Sequence, residues 1–370
     1  MKMPDSTPLR PLAFQREKGD IHQALMHASQ AYLQARGDHR FADGAMVVKV
    51  VLLVLLCAAC YGFGLQQQSF WAYFGCYVGF IFSAMMLTVN VVHDASHNAF
   101  FKRARWNHWL NFFVSIPLGL DADCWRVRHV IFHHAYNNIQ GYDPDIEPNG
   151  VLRQTPYQPR KRFMRLQQFY WPLVAALTFP YYIWLFDWLD RAGKTRMTPK
   201  MMYQGAKGWG MFLLSKLLHF TLALAIPLWL MPPAVSISAI FLTYLLSQML
   251  SSLVFVMLIV GTHWAKANFY QAPQQGKMEH GWYQHLFSTT FDWQASPRWL
   301  GYWLGGANLH LTHHLFPHWS HRHYPALAKM IAEVAAQYDL DYQCLDLKTL
   351  LTMQQRFLGA MGKNETESLN

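Results

Sequence analysis

The sequence predicts an all-α integral membrane protein with four membrane-spanning helices, paired as two hairpins, under a cytoplasmic helical cap. Three observations carry that prediction. Hydrophobic residues make up 52% of the 370 positions and charged ones only 14%, against roughly 25% charged in ordinary soluble domains. Aromatics reach 16%, with 15 Trp and 18 Tyr, and such rings collect at membrane–water interfaces. Four apolar stretches each have about the ~20 residues that a bilayer core requires.

Net charge is +10, yet the basic residues are spread through connecting segments. That pattern suits a cytoplasmic membrane face and argues against a nucleic-acid partner. The five cysteines, Cys57, Cys60, Cys76, Cys124 and Cys344, have neither disulfide nor metal spacing. Cys57 and Cys60 are spaced as CxxC but sit in an apolar run, where packing is their role.

Taken in order, residues 1–44 are polar, without the basic-then-apolar start of a signal peptide, and are expected to stay cytoplasmic. Within them Ile21 to Arg36 reads as an amphipathic helix, with Ile21, Leu25, Ala28 and Tyr32 on one side. His22, His27 and His39 read as surface residues. Ala45 to Gly64 is the first span, apolar except for Lys49 near its start. An uncharged link, Leu65 to Ser69, leads to the second span, Phe70 to Val92, which runs directly into HDASH. Trp109 to Leu120 is too short to cross and return, so it is placed in the interface.

Phe169 to Leu189 is long enough to span, but Pro172 and Pro180 interrupt it and Asp187 and Asp190 close it. A crossing there would put His310 on the opposite side from His93 and His133, so this segment too is read as interfacial. The third and fourth spans, Met211 to Met231 and Ala234 to Gly261, are joined by Pro232 and Pro233. Lys216 is expected to snorkel, and His219 to be a packed or hydrogen-bonded helix residue rather than a ligand. Both outer links lack charge while the inner connections hold nearly every Lys and Arg, as the positive-inside rule requires. Ala265 to Trp303 reads as a Trp-rich loop, and Tyr324 to Met361 as soluble helix before a disordered end. The divisions expected are therefore 1–44, a membrane domain 45–324, and a cytoplasmic tail 325–370.

Eight histidines fall in three clusters: His93 and His97; His129, His133 and His134; and His310, His313 and His314. On an α-helix positions i, i+3 and i+4 share a face, so the last three are expected to converge on one place. His93/His97 and His129/His133 are i, i+4 pairs, with His134 about 100° further round. Eight imidazoles exceed what one metal ion uses and match two. Asp94, beside two of them, is a candidate for orienting a ligand imidazole.

Neutral imidazole suits iron, zinc and copper. The HExxH pattern of zinc proteases is absent. Haem ligands would lie singly within the spans. A dinuclear non-haem iron site accounts for the count, and two irons at a membrane surface can use O₂ to attack a C–H bond of a lipid chain. A non-enzymatic membrane metal carrier is a different class of function. It would place exchangeable zinc or copper on ligands inside the bilayer, and these clusters lie at span ends instead.

HDASH, HVIFHH and HLTHH resemble the three histidine boxes of the membrane fatty acid desaturase family. The flanking HHAYNNIQGYDPDIE and GGANLHLTHHLFPH resemble its front-end acyl desaturase branch. The resemblance runs from about Thr88 to Tyr324. It implies a four-span fold with a cytoplasmic cap; the expected location is a bacterial inner membrane. It also implies two irons, and a double bond placed in a CoA-, carrier-protein- or lipid-bound fatty acyl chain with O₂ and two electrons.

Relatives use one further histidine between boxes two and three, which here points to His263, with His285 as the competitor. Two departures stand out. Front-end members usually begin box three with Gln, where this chain has His310. The HPGG signature of a fused cytochrome b5 domain is absent, which implies a separate ferredoxin-like or cytochrome b5-like electron donor. Hydroxylases and ketolases of the same superfamily share the boxes, and the box flanks favour desaturation.

Overall fold

The computed structural model describes residues 10–16, 19–231, 235–265 and 267–363. The Pro232–Pro233 link and residues 364–370, expected above to turn outward and to be disordered, lie outside the described residues. The chain is mostly helical and divides into two compact units.

The first unit comprises Ala42–Arg128 and Pro172–Val256. It is built on four helices long and apolar enough to cross a membrane: Gly44–Gly64, Phe70–Ser96, Gly205–Leu230 and Ile237–Leu258. The Asp43 carboxylate starts the first by accepting the Met46 N–H at 2.9 Å, an N-cap. The second helix is mostly buried, whereas the first is mostly exposed. Its inward stripe is Met46, Lys49, Leu53 and Cys57, while Val48, Leu52 and Leu55 face outward, as a helix edged by lipid requires.

The third helix contains a π turn at Thr221–Ala225. The Tyr61 and Tyr77 hydroxyls donate to the Leu222 and Ala223 carbonyls, each at 2.6 Å. A π turn loosens the backbone ladder, and in hydrocarbon the affected groups need partners from neighbouring helices. His219 bonds the Ile116 carbonyl at 2.9 Å and the Tyr244 hydroxyl at 3.0 Å, as its position suggested. Helix also forms on both sides of Leu177 in the stretch read as interfacial, with a bend of 55° between Arg162–Ala176 and Thr178–Arg191. Pro180 has no N–H for the Ala176 carbonyl, so a straight helix cannot pass that point.

Lys216 does not snorkel. It is buried and donates to Asp187 at 2.7 Å and to the Gly119 carbonyl at 2.8 Å. Arg128, also buried, donates to Asp187 at 2.8 Å and to Asp190, its guanidinium lying over Tyr182 and Phe186. Two cations and two anions thus cancel, and this local neutrality draws the lysine inward. Asp187→Ala is expected to destabilise the protein by about 3–5 kcal/mol, because it strands buried Lys216 and leaves Arg128 with Asp190 alone. Thermal unfolding of detergent-solubilised protein measures this, and a melting temperature within a degree of wild type would refute it.

Among the described residues, the second unit comprises those of 10–41, His129–Trp171 and 257–363. Helix Ile21–Arg36 forms where expected and packs through Ile21 and Leu25 against Leu311, Leu315, Leu327 and Ile331. Arg322 grips both oxygens of Asp38 at 2.7 Å, a bidentate geometry that fixes register.

Three readings need correction here. The expectation of an all-α chain omits three short parallel strand pairs: Ala13–Gln15 with Lys277–Gly281, Ile139–Gln140 with Tyr270–Gln271, and Asp292–Gln294 with Cys344–Asp346. They are too short and too far apart in sequence to leave a period. The loop expected over 265–303 contains the helix Trp282–Thr289. The single helix expected from Tyr324 to Met361 is two, Tyr324–Gln337 and Leu347–Lys363. Asp339 in the break has φ 53°, a left-handed conformation incompatible with helix continuation.

Candidate metal centre

Box one closes the second membrane helix in the first unit. A π turn over Thr88–Val92 precedes the α-helical turn His93–Ser96. The rings of His93 and His97 stand edge to face, with centroids 5.5 Å apart. Asp94 is buried, with its carboxylate 3.8 Å from His93 Nδ1. That separation is ion-pair range rather than a hydrogen bond. Asp94 also attracts the ammonium of buried Lys49.

Box two departs from the α-helical expectation. Val127–His133 is a π turn, followed by a short helix His134–Tyr136. The wider turn brings His129 together with His134 at i+5, their Nε2 atoms 3.3 Å apart. His129 and His133 do not share a target. His129 Nε2 lies 3.4 Å from His313 Nε2, whereas His133 joins a different group. Wide turns of this kind occur often at functional sites.

That group is His133, His263, His310 and His314, whose ligand nitrogens all lie within 4.8 Å of one another and are buried. His310 and His314, at i and i+4 on helix His310–Leu315, point together with Nε2 atoms 3.2 Å apart. His313 turns instead toward His129, so the three histidines of box three serve two places rather than one. His263, in the helical turn Val260–Trp264, brings its Nε2 to 2.7 Å from that of His310. His134 stands between the groups, stacked on His314 at 4.2 Å and edge-on to His313 at 4.4 Å.

His285 is placed differently. Its Nε2 bonds the Asn137 carbonyl at 2.8 Å and its Nδ1 bonds His280 Nε2 at 2.9 Å. Burial, outweighing the bond to Asn137, lowers its pKa to about 4, so the ring is neutral with its proton on Nε2.

Several supporting residues left little trace in the sequence. Asp143, fully buried, accepts from His133 Nδ1 at 3.0 Å, from the Asn138 N–H at 2.8 Å and from the Asp145 N–H at 2.9 Å. This assigns the Nδ1 proton of His133 and leaves Nε2 toward the other three rings, the carboxylate–histidine arrangement common behind metal ligands. Burial opposes charge on His133, but Asp143 and Asp145 outweigh it and raise its pKa to about 9. His263 goes the other way, to about 3, through burial and then repulsion by His133. The His314 pKa likewise falls well below its usual value on burial.

Asp292 fixes box three. It accepts the Thr312 N–H at 3.1 Å, the Thr312 hydroxyl at 2.6 Å and the Tyr342 hydroxyl at 2.8 Å, while burial pushes its pKa up to about 6. The Tyr324 hydroxyl bonds His313 Nδ1 at 2.9 Å, leaving Nε2 toward His129. The only early signal of Asp143 was a DPD run in a chain poor in charge.

The donor set fits a transition metal. At metal–nitrogen lengths of about 2.0–2.1 Å, adjacent imidazole nitrogens fall about 3 Å apart, close to the 2.7 and 3.2 Å seen on either side of His310.

Residues 69–345 match the family described as fatty acid desaturase. Among curated proteins, an "sn-1 linoleoyl-lipid 6-desaturase" of Synechocystis sp. is 28% identical over 94% of this chain and 97% of its own length. A protein of the same description from Arthrospira platensis is 25% identical, covering 93% and 90%. An "Acyl-lipid (8-3)-desaturase" of Physcomitrium patens is 26% identical over 73% of this chain and 56% of its own length.

Proposed function

The chain belongs to the fatty acid desaturase family, and on that premise we propose that it is a membrane di-iron enzyme which places a double bond in a lipid-bound acyl chain. The convergence of four buried imidazoles backed by Asp143 carries this reading. His133, His263, His310 and His314 would hold one iron. The remaining box histidines, His93, His97, His129, His134 and His313, would be left to serve a second. Two bound irons would use O₂, two electrons and two protons to take two hydrogens from neighbouring methylenes, leaving an alkene and two waters.

The protein's own part is to hold the ligands. Asp143 and Tyr324 set which nitrogens of His133 and His313 face inward, and Asp292 fixes the turn that carries box three. His285 supports box two through the Asn137 carbonyl and is not a ligand. Asp94 is the carboxylate beside box one. The acyl-lipid substrate rests on the names of the relatives, with CoA- and carrier-protein-bound chains as the competing forms. The electrons come from a separate ferredoxin-like or cytochrome b5-like carrier. Segment 1–44 and tail 325–370 are cytoplasmic, around the membrane domain 45–324 in a bacterial inner membrane, as the distribution of Lys and Arg supports.

Expression in a host with simple fatty acids, together with a ferredoxin and its reductase, is expected to give a new double bond in extracted glycerolipids. Purified protein is expected to hold two irons per chain. An alcohol or ketone product would move the chain to the hydroxylases and ketolases. One zinc or copper with no product would favour a metal carrier.

A further inference from the structure

Electrons for such a centre must pass from the surface to buried ligands, and one line of contacts in the second unit makes that connection. His280 is half-buried on strand Lys277–Gly281. Its Nε2 meets His285 Nδ1 at 2.9 Å, and the two rings stack at 5.2 Å within 6° of parallel. His285 Nε2 donates to the Asn137 carbonyl at 2.8 Å. Across that same peptide bond, the Asn138 N–H donates to Asp143 at 2.8 Å. The carboxylate then accepts His133 Nδ1 at 3.0 Å, on the ring whose other nitrogen joins the foursome. His285, Asn137, Asn138, Asp143 and His133 are all buried.

We propose that His280, His285, the Asn137–Asn138 peptide and Asp143 form the path by which electrons reach the iron at His133. This rests on the di-iron reading above. The path is continuous: each step is a covalent bond, a peptide unit or a hydrogen bond, and none is a jump through space. Electronic coupling decays far more slowly along such a line than across a gap of equal length. Proton delivery is a poorer fit, because the chain passes through an amide whose carbonyl only accepts and whose N–H only donates. Each transfer oxidises a one-electron iron–sulfur or haem carrier docked over the strand and reduces one ferric ion to ferrous. No bond is made or broken, and two transfers accompany each double bond.

A ruthenium photosensitiser makes the test independent of the natural carrier. It is attached to Glu279→Cys in iron-loaded full-length protein whose other accessible cysteines are serine, since Glu279 is exposed beside His280. A reference protein carries the label on native Cys344, which is exposed elsewhere. Flash-induced iron reduction, followed without O₂ or substrate, is expected to slow at least tenfold from position 279 in both His280→Phe and His285→Phe. In His280→Phe, reduction from Cys344 and the iron content are expected to stay unchanged. Unchanged rates from position 279 in His280→Phe overturn the proposal. So does an equal slowing from both labels, which would mark a general effect on the centre. If His285→Phe loses iron, that variant reports positioning only and His280→Phe, which contacts no proposed ligand, decides. Unmutated protein that binds no iron overturns the di-iron reading itself.

Discussion

His263→Ala is expected to abolish product and to remove about half of the bound iron while protein level stays near normal. His263 supplies one of four nitrogens in the foursome, and its Nε2 is the nearest neighbour of His310 Nε2. The site is buried, so the lost ligand is replaced at best by a constrained water. Losing an outer partner of a ligand typically lowers affinity about 10–100-fold, and losing the ligand itself should cost more. His285→Ala is expected to keep both irons and part of the turnover, since neither nitrogen of His285 points at the foursome. Iron analysis of purified protein and product analysis by chromatography read both outcomes. Full iron and turnover in His263→Ala, with loss in His285→Ala, would reverse the assignment and place the ninth ligand in the segment after the fourth span.

Asp143→Asn is expected to weaken iron binding at the same site by about 10–100-fold with little change in packing volume. Asp143 gathers three N–H donors, from His133, Asn138 and Asp145. An amide oxygen can accept from one or two of them, but the amide nitrogen then confronts a donor, and a buried donor left unpaired costs about 1–3 kcal/mol. Without the carboxylate His133 also loses the partner that defines its tautomer and raises its basicity. Titration of apo-protein with ferrous iron under argon measures the affinity. Wild-type affinity in Asp143→Asn would show that the turn alone, and not the charge, orients His133. Asp145→Asn serves as the comparison, since Asp145 lies further from the ring at 3.4 Å and is partly exposed.

How much of this was legible in the chain differs from element to element. Membrane helices announce themselves because a bilayer demands an unbroken apolar length, and that demand is met within one stretch of sequence. The first span was therefore placed within a residue of its observed start at Gly44. The histidine clusters were equally local, since metal ligands brought by short helices recur at i+3 and i+4. Helix Ile21–Arg36 was found by the same kind of periodicity.

What escaped depended on partners far along the chain. The inward turn of Lys216 required Asp187, 29 residues away. The grip on box three required Asp292, 20 residues before Thr312, and no spacing rule ties such a pair together. The π turn Val127–His133 changed which histidines meet, because a wider turn rotates each side chain by less than the 100° of an α-helix. By itself the sequence determined that the protein enters a membrane and carries three clusters of metal-binding side chains, for these follow from hydropathy and short-range period. Only the tertiary structure decided which nitrogens of the second unit face one another, because that depends on long-range hydrogen bonds that orient each ring.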